Sequence, residues 1–187
     1  MNPNQIVSDA TAKMQSAIAH FQDELKKLRT GRATSSMLDS IMVEAYGTQM
    51  PLNQAATVST PEPQLLQIAP FDPNNIQAIA NAIRNNPTLG MNPTDDGRVV
   101  RIPVPPLTED RRREIVKQLN AKQEEAMVAL RNIRHDALGA VEKAKKDKEI
   151  GEDDAKRLEK QVDEALAKAR ATADTASNAK ESEIMTV

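Results

Sequence analysis

Apolar residues recur every three to four positions along both ends of the chain and follow a different grammar in its middle. Val7, Met14, Phe21 and Leu28 return every seven residues, interleaved with Thr11, Ile18 and Leu25. This 3–4 alternation keeps one stripe of a helix turned towards a partner. A second pattern opens after Pro105-Pro106, with Thr108 as a good N-cap and Glu109 and Asp110 in the first turn. Its stripe runs Val116, Leu119, Gln123, Ala126, Leu130, Ile133, Ala137, Ala140 and Ala144. Punctuation at Ile150-Gly151 precedes Glu152, Asp153 and Asp154, residues suited to a helix start. A third stripe follows through Ala155, Leu158, Val162, Ala165, Ala169, Thr172 and Ala176. Three helices with one apolar stripe each must bury those stripes against one another. The short turn at Gly151 makes the second and third antiparallel neighbours. A helix of about 40 residues is roughly 60 Å long, so the bundle is a rod.

The middle reads as mixed α/β. Ile41–Tyr46 alternates like a strand, with Gly47-Thr48 turning into a short return. Ala56–Ser59, Leu65–Ala69 and Val99–Val104 are further strand candidates, the last fed by the turn Asp95-Asp96-Gly97. Asp72 caps and Pro73 begins a helix through Ile76, Ile79, Ala80 and Ile83 that ends by Asn86-Pro87. The 77 residues from Thr30 to Pro106 hold 10 of the 11 prolines and only 10 charged residues, whereas the flanks hold one proline and 42 charges. Proline breaks helices, so the flanks form long helices and the middle does not. The reading is an α+β protein: a discontinuous three-helix bundle, residues 1–29 and 107–187, with an α/β domain inserted at 30–106. The two crossings, 29–32 and 103–107, lie side by side at one end of the rod. Gly31 gives freedom there while Pro105 and Pro106 stiffen the return, a hinge of limited travel.

Composition removes whole classes of function. With 25 basic and 27 acidic residues the net charge is -2, which excludes a wholesale polycation and leaves room for a local basic patch. Cysteine is absent, and with it disulfides, thiolate metal sites and cysteine nucleophiles. Three aromatics, Phe21, Tyr46 and Phe71, are too few for a base-stacking platform. No window reaches the roughly 18 apolar residues of a membrane span, and the N-terminus lacks the composition of a targeting segment. A soluble, reducing, cytoplasmic setting is expected. No catalytic, nucleotide-binding or metal motif is present. His20 flanks the first stripe, and His135 has no neighbouring serine that would make a nucleophile–base pair. Glu152-Asp153-Asp154 favours a helix start whether or not a cation binds. The chain is expected not to be an enzyme and to need no metal or cofactor.

Basic residues are better placed. Lys26, Lys27, Arg29 and Arg32 end the first helix, and Arg111, Arg112, Arg113 and Lys117 begin the second. Further along, Arg131 and Arg134 share one helical face, with His135 adjacent. Guanidinium pairs suit bidentate phosphate contact. A solvated face neutralised by Glu124, Glu125 and Asp136 accounts for the same charges. The lysines from Lys143 to Lys148 are offset by Glu142, Asp147 and Glu149.

Several segments, in order and at matching separations, closely resemble the ribosome recycling factor family. They are Lys27-Leu28-Arg29-Thr30-Gly31-Arg32-Ala33, Ser36-Met37-Leu38-Asp39, Val43-Glu44-Ala45-Tyr46-Gly47-Thr48, Pro51-Leu52-Asn53-Gln54, Arg101 through Arg112, Arg131-Asn132-Ile133-Arg134-His135-Asp136 and Lys146-Asp147-Lys148-Glu149-Ile150. The resemblance implies an L-shaped two-domain fold, a long three-helix bundle with the α/β domain at its hinge end. It also implies a non-enzymatic, monomeric factor that acts after translation termination. Its helical domain would lie on the large ribosomal subunit across the A and P sites, against ribosomal RNA. Elongation factor G and GTP would then drive the subunits apart, with release of messenger RNA and deacylated tRNA. Carried over by residue, Arg131 and Arg134 fall on the family's RNA-facing cluster, and Arg111 and Arg112 are further candidates. His135 stands where many bacterial members carry arginine, and an imidazole makes a weaker phosphate contact at pH 7. Arg29, Thr30, Gly31, Arg32, Val104, Pro105 and Pro106 fall on the hinge. A helical chaperone or adaptor that grips partner helices is the alternative, and a hydrolase using His135 a third reading.

Overall fold

The computed structural model describes residues 3–87 and 89–186. The chain divides into two compact units, 1–30 with 108–187, and 31–107. Those boundaries fall one residue beyond the positions where proline and charge content change. The chain opens the first unit with α1 (Pro3–Lys26). In the second unit β1 (Met42–Ala45), β2 (Thr48–Pro51), α2 (Leu52–Ala55), β3 (Ala56–Glu62) and β4 (Leu65–Pro70) follow. Then come α3 (Ile76–Arg84), β5 (Thr94–Asp95) and β6 (Val100–Pro103), before α4 (Glu109–Lys146) and α5 (Glu152–Met185) return to the first unit.

In the first unit α1, α4 and α5 pack on one another along their lengths. On α1 the buried side chains are Ile6, Ala10, Met14, Ile18, Phe21 and Leu25. Val7 and Thr11, expected on the stripe, are only half-buried. On α4, Ile115 and Val141 are buried in place of Val116 and Ala140, which the spacing favours. On α5 the stripe after Val162 continues through Leu166, Ala173, Ser177 and Ile184. Ala165, Ala169 and Ala176 lie half-buried beside it, and Thr172 is exposed. Each difference is a shift of one residue. A strict seven-residue repeat drifts by about 20° per heptad on a straight helix, so over long helices the neighbouring position takes the buried place. The Ala-, Ser- and Thr-rich tail from Ala171 is a working part of the bundle: α5 runs through it to Met185, and Ile184 is fully buried.

Local chemistry sets the helix ends. Thr108 Oγ1 accepts a hydrogen bond from the Arg111 N–H at 3.3 Å and caps α4. At the far end Lys148 adopts φ 59, with Glu149 N–H donating to Ala144 O at 2.9 Å and Lys148 N–H to Lys145 O at 3.1 Å. This paired closure ends a helix and usually employs glycine. Here the left-handed residue is Lys148, while Gly151 forms the N-cap of α5.

In the second unit β1 and β2 form a hairpin joined by Tyr46 (φ 54) and Gly47 (φ 76). Two left-handed residues make the tight turn that matches strand twist. A four-stranded antiparallel sheet in the order β3-β4-β6-β5 lies alongside. The Asp72 carboxylate accepts from the Asn74 N–H at 2.9 Å, and α3 then buries Ile76, Ile79, Ala80 and Ile83. These join Val43, Leu66, Ile68, Val100 and Ile102 in the unit's core. The helical turn α2 and the two-residue β5 carry too little periodicity to be read beforehand. The unit's two ends are tied to one turn: Ala33 N–H donates to Pro63 O at 2.7 Å, and Val104 N–H to Gln64 O at 2.8 Å.

Candidate nucleic-acid interface

Polar rungs join α4 to α5 at regular intervals. Arg112 Nη1 donates to Met185 O at 3.1 Å, Gln123 Nε2 to Asp174 Oδ1 at 2.9 Å, and Arg134 Nε to Asp163 Oδ1 at 2.6 Å. Each step of eleven residues along α4 meets a step of eleven back along α5. Eleven residues complete three turns of a helix, so the rungs fall on one face of each. Antiparallel register is thereby fixed over most of the length of both helices.

The third rung lies in a groove of 670 Å³ lined by Arg131, Arg134 and His135 from α4 and by Asp163, Leu166, Ala167 and Arg170 from α5. Arg131 Nη2 donates to Glu124 Oε1 at 2.6 Å, and its side chain stays 51% exposed. Arg134 is 40% exposed. Its hydrogen bond to Asp163, followed by the charge of that carboxylate, raises the guanidinium above its ordinary pKa. Arg131, Arg134 and His135 are brought together along one open groove. Arg170, which sequence reading missed, shares it. Its signal was available in the spacing Asp163–Leu166–Ala167–Arg170, which places four residues on one helical face.

Arg111 and Arg112 stand about 20 residues from Arg131, roughly 30 Å along α4, and do not share the groove. Arg111 is exposed and paired with Glu114. Arg112 is only 9% exposed, facing the bundle with its guanidinium on the Met185 carbonyl. It lies seven residues before Leu119, so the apolar stripe carries it inward. A cation there also suits the carbonyl-rich end of α5. The remaining charges near this end are largely paired: Lys26 with Asp23, Lys27 with Glu24 and Arg113 with Glu109. Lys122 of α4 meets Glu24 of α1 at 2.6 Å. Of the crossing residues, Arg29 and Arg32 are exposed, Thr30 and Val104 buried, and Pro105 and Pro106 exposed. Gly31 has φ +80, and a Cβ there would meet Leu107 Cγ at 3.4 Å. Among the described residues no helix is long and apolar enough to cross a membrane.

A family model described as ribosome recycling factor matches residues 21–185. A ribosome-recycling factor of Symbiobacterium thermophilum is 45% identical over 183 residues, spanning 98% of each chain. The chain belongs to the ribosome recycling factor family. A second relative, from Carboxydothermus hydrogenoformans, is 46% identical over 182 residues, 97% of this chain and 98% of that one. Among solved structures, a solution structure of the ribosome recycling factor superimposes with TM-score 0.76 at 37% identity, covering 100% of this chain and 99% of that one. Another neighbour is the Thermus thermophilus ribosome recycling factor, described together with Escherichia coli elongation factor G as bound to the E. coli post-termination complex. It has TM-score 0.64 and 37% identity, with both chains fully covered. The segment that matches the ribosome recycling factor family contains the whole α4–α5 groove and both crossings between the units.

Proposed function

We propose that this chain recycles ribosomes after termination as a non-enzymatic, monomeric cytoplasmic factor. It binds the large subunit across the A and P sites through RNA phosphates. With elongation factor G and GTP it then splits the post-termination complex, freeing messenger RNA and deacylated tRNA. The observation that carries this reading is the exposed arginine pair on α4, in a chain whose structural neighbour is placed with elongation factor G on that complex. A rod presents guanidiniums to RNA. The low-charge α/β unit then serves as a lever for force supplied by the partner.

Light scattering of post-termination ribosomes tests the activity. Subunits should part when this chain, elongation factor G and GTP are all present, and stay joined when any one is omitted. Arg131→Ala with Arg134→Ala gives up the Arg134–Asp163 rung but no buried side chain, so the bundle should keep its helicity by circular dichroism at some cost in stability. Affinity for large subunits should fall, and the salt dependence should flatten by about 1 for each phosphate no longer neutralised. Unchanged affinity of the double variant across the salt range defeats the assignment of these arginines.

A further inference from the structure

We infer that Arg170 is a third phosphate-contacting arginine, and that the RNA backbone runs along the groove between α4 and α5 rather than over α4 alone. This rests on the ribosome-binding reading above and deepens it. Arg131 and Arg134 each commit a guanidinium nitrogen to a carboxylate, Glu124 and Asp163. Arg170 is exposed and lines the same groove, and among the described residues no carboxylate pairs with it. A guanidinium without a carboxylate partner has its charge uncompensated and all five N–H donors open to an incoming phosphate.

The register of the two helices orders these groups. Arg134 is level with Asp163, so Arg131 lies about 4.5 Å further along the axis and Arg170 about 10 Å further, in the same direction. Side chains on a helix tilt towards its N-terminus, and the Arg131 head is drawn that way to Glu124, towards the level of Arg170. The same tilt on α5 carries the Arg170 head back towards Arg131 and Arg134, so the three guanidiniums line one stretch of the groove as contacts for an RNA backbone. Ala167 adds little bulk to the floor and Leu166 is buried, which lets a backbone approach both helices. Against the three guanidiniums and the imidazole, Asp163 is the single acid in the lining.

Equilibrium binding of the full chain to isolated large subunits, over a series of salt concentrations, tests this. Arg170→Ala should weaken binding about tenfold at low salt and reduce the slope of log affinity against log salt by about 1. Arg170→Lys should keep the slope. Arg170→Gln replaces the alanine variant should that variant lose helicity by circular dichroism. If the charge-removing variant binds with unaltered affinity or slope while Arg131→Ala/Arg134→Ala weakens binding, the Arg170 inference is overturned and the recycling reading stands. If neither weakens binding, both fall.

Discussion

Glu24 shows what one carboxylate gains from its neighbours. Hydrogen bonds from Lys122 and then Lys27 hold it at about 2, against an ordinary 4.5. Asp96 in the other unit is brought from 3.8 to about 2, by the Val99 and Arg98 N–H groups, each at 2.9 Å, and then by Arg101 at 2.6 Å. Both groups ionise more readily folded than unfolded. Their contribution is therefore complete above pH 4.5 and is lost as the pH falls from there towards 2, where the unfolded chain takes up protons first. Glu24→Gln should flatten the acid side of a stability-against-pH curve for the helical unit, and Asp96→Asn that of the α/β unit; chemical denaturation between pH 2 and 6 reads both. An acid limb unchanged in Glu24→Gln removes Glu24 from the account. The fate of single charges is the least legible level in the sequence. Arg111 and Arg112 look alike in a basic run, yet the 100° step of a helix turns one to solvent and the other onto the Met185 carbonyl. Only the stripe containing Ile115 and Leu119 distinguishes them.

At the scale of elements, helix existence, length and pairing are open to reading, because proline marks where a helix cannot run and Thr108 marks where one starts. The facing is less so. Where alanine, serine and threonine dominate, a stripe displaced by one residue is nearly as apolar as the true one. What settles the α4–α5 register is instead its polar rungs, which hydropathy treats as defects. Gln123 interrupts an otherwise apolar stripe. Its Nε2 binds Asp174, and its Oε1 accepts from the Ser177 hydroxyl at 2.9 Å, with Ser177 only 3% exposed. Gln123→Ala should cost about 1–3 kcal/mol in urea unfolding, since it strands a buried hydroxyl. Combining Gln123→Leu with Ser177→Ala removes both partners and should recover most of that loss. A double variant less stable than Gln123→Ala alone would show that the rung contributes by its own bond and not through the hydroxyl it satisfies.

The whole molecule is a helical unit interrupted by an α/β unit, and the interruption is legible from composition alone. Prolines and charges partition because turns and short strands accommodate proline where a helix cannot, while long exposed helices need charges for solvation. Gly47 marks the hairpin turn in the sequence, placed one residue late at Gly47-Thr48, whereas the left-handed Tyr46 and the two-residue β5 depend on local backbone geometry and not on periodicity. Under the proposed mechanism, function at this scale turns on the crossings. Pro63 and Gln64 accept backbone hydrogen bonds from Ala33 and Val104 just inside them, which leaves only a few residues of each crossing outside those two bonds. Gly31 is the one among them at φ +80, and a Cβ there would stand in contact with Leu107, 3.4 Å from its Cγ. Gly31→Ala should therefore cost about 1–2 kcal/mol in the left-handed conformation and restrict the backbone there. Under the proposed mechanism the arginine groove is untouched, so affinity for large subunits should remain that of the unaltered chain. Splitting driven by elongation factor G should slow, because the lever must move about this point. Stopped-flow light scattering at saturating factor separates the two effects. Splitting at the normal rate would place the moving joint elsewhere in the chain.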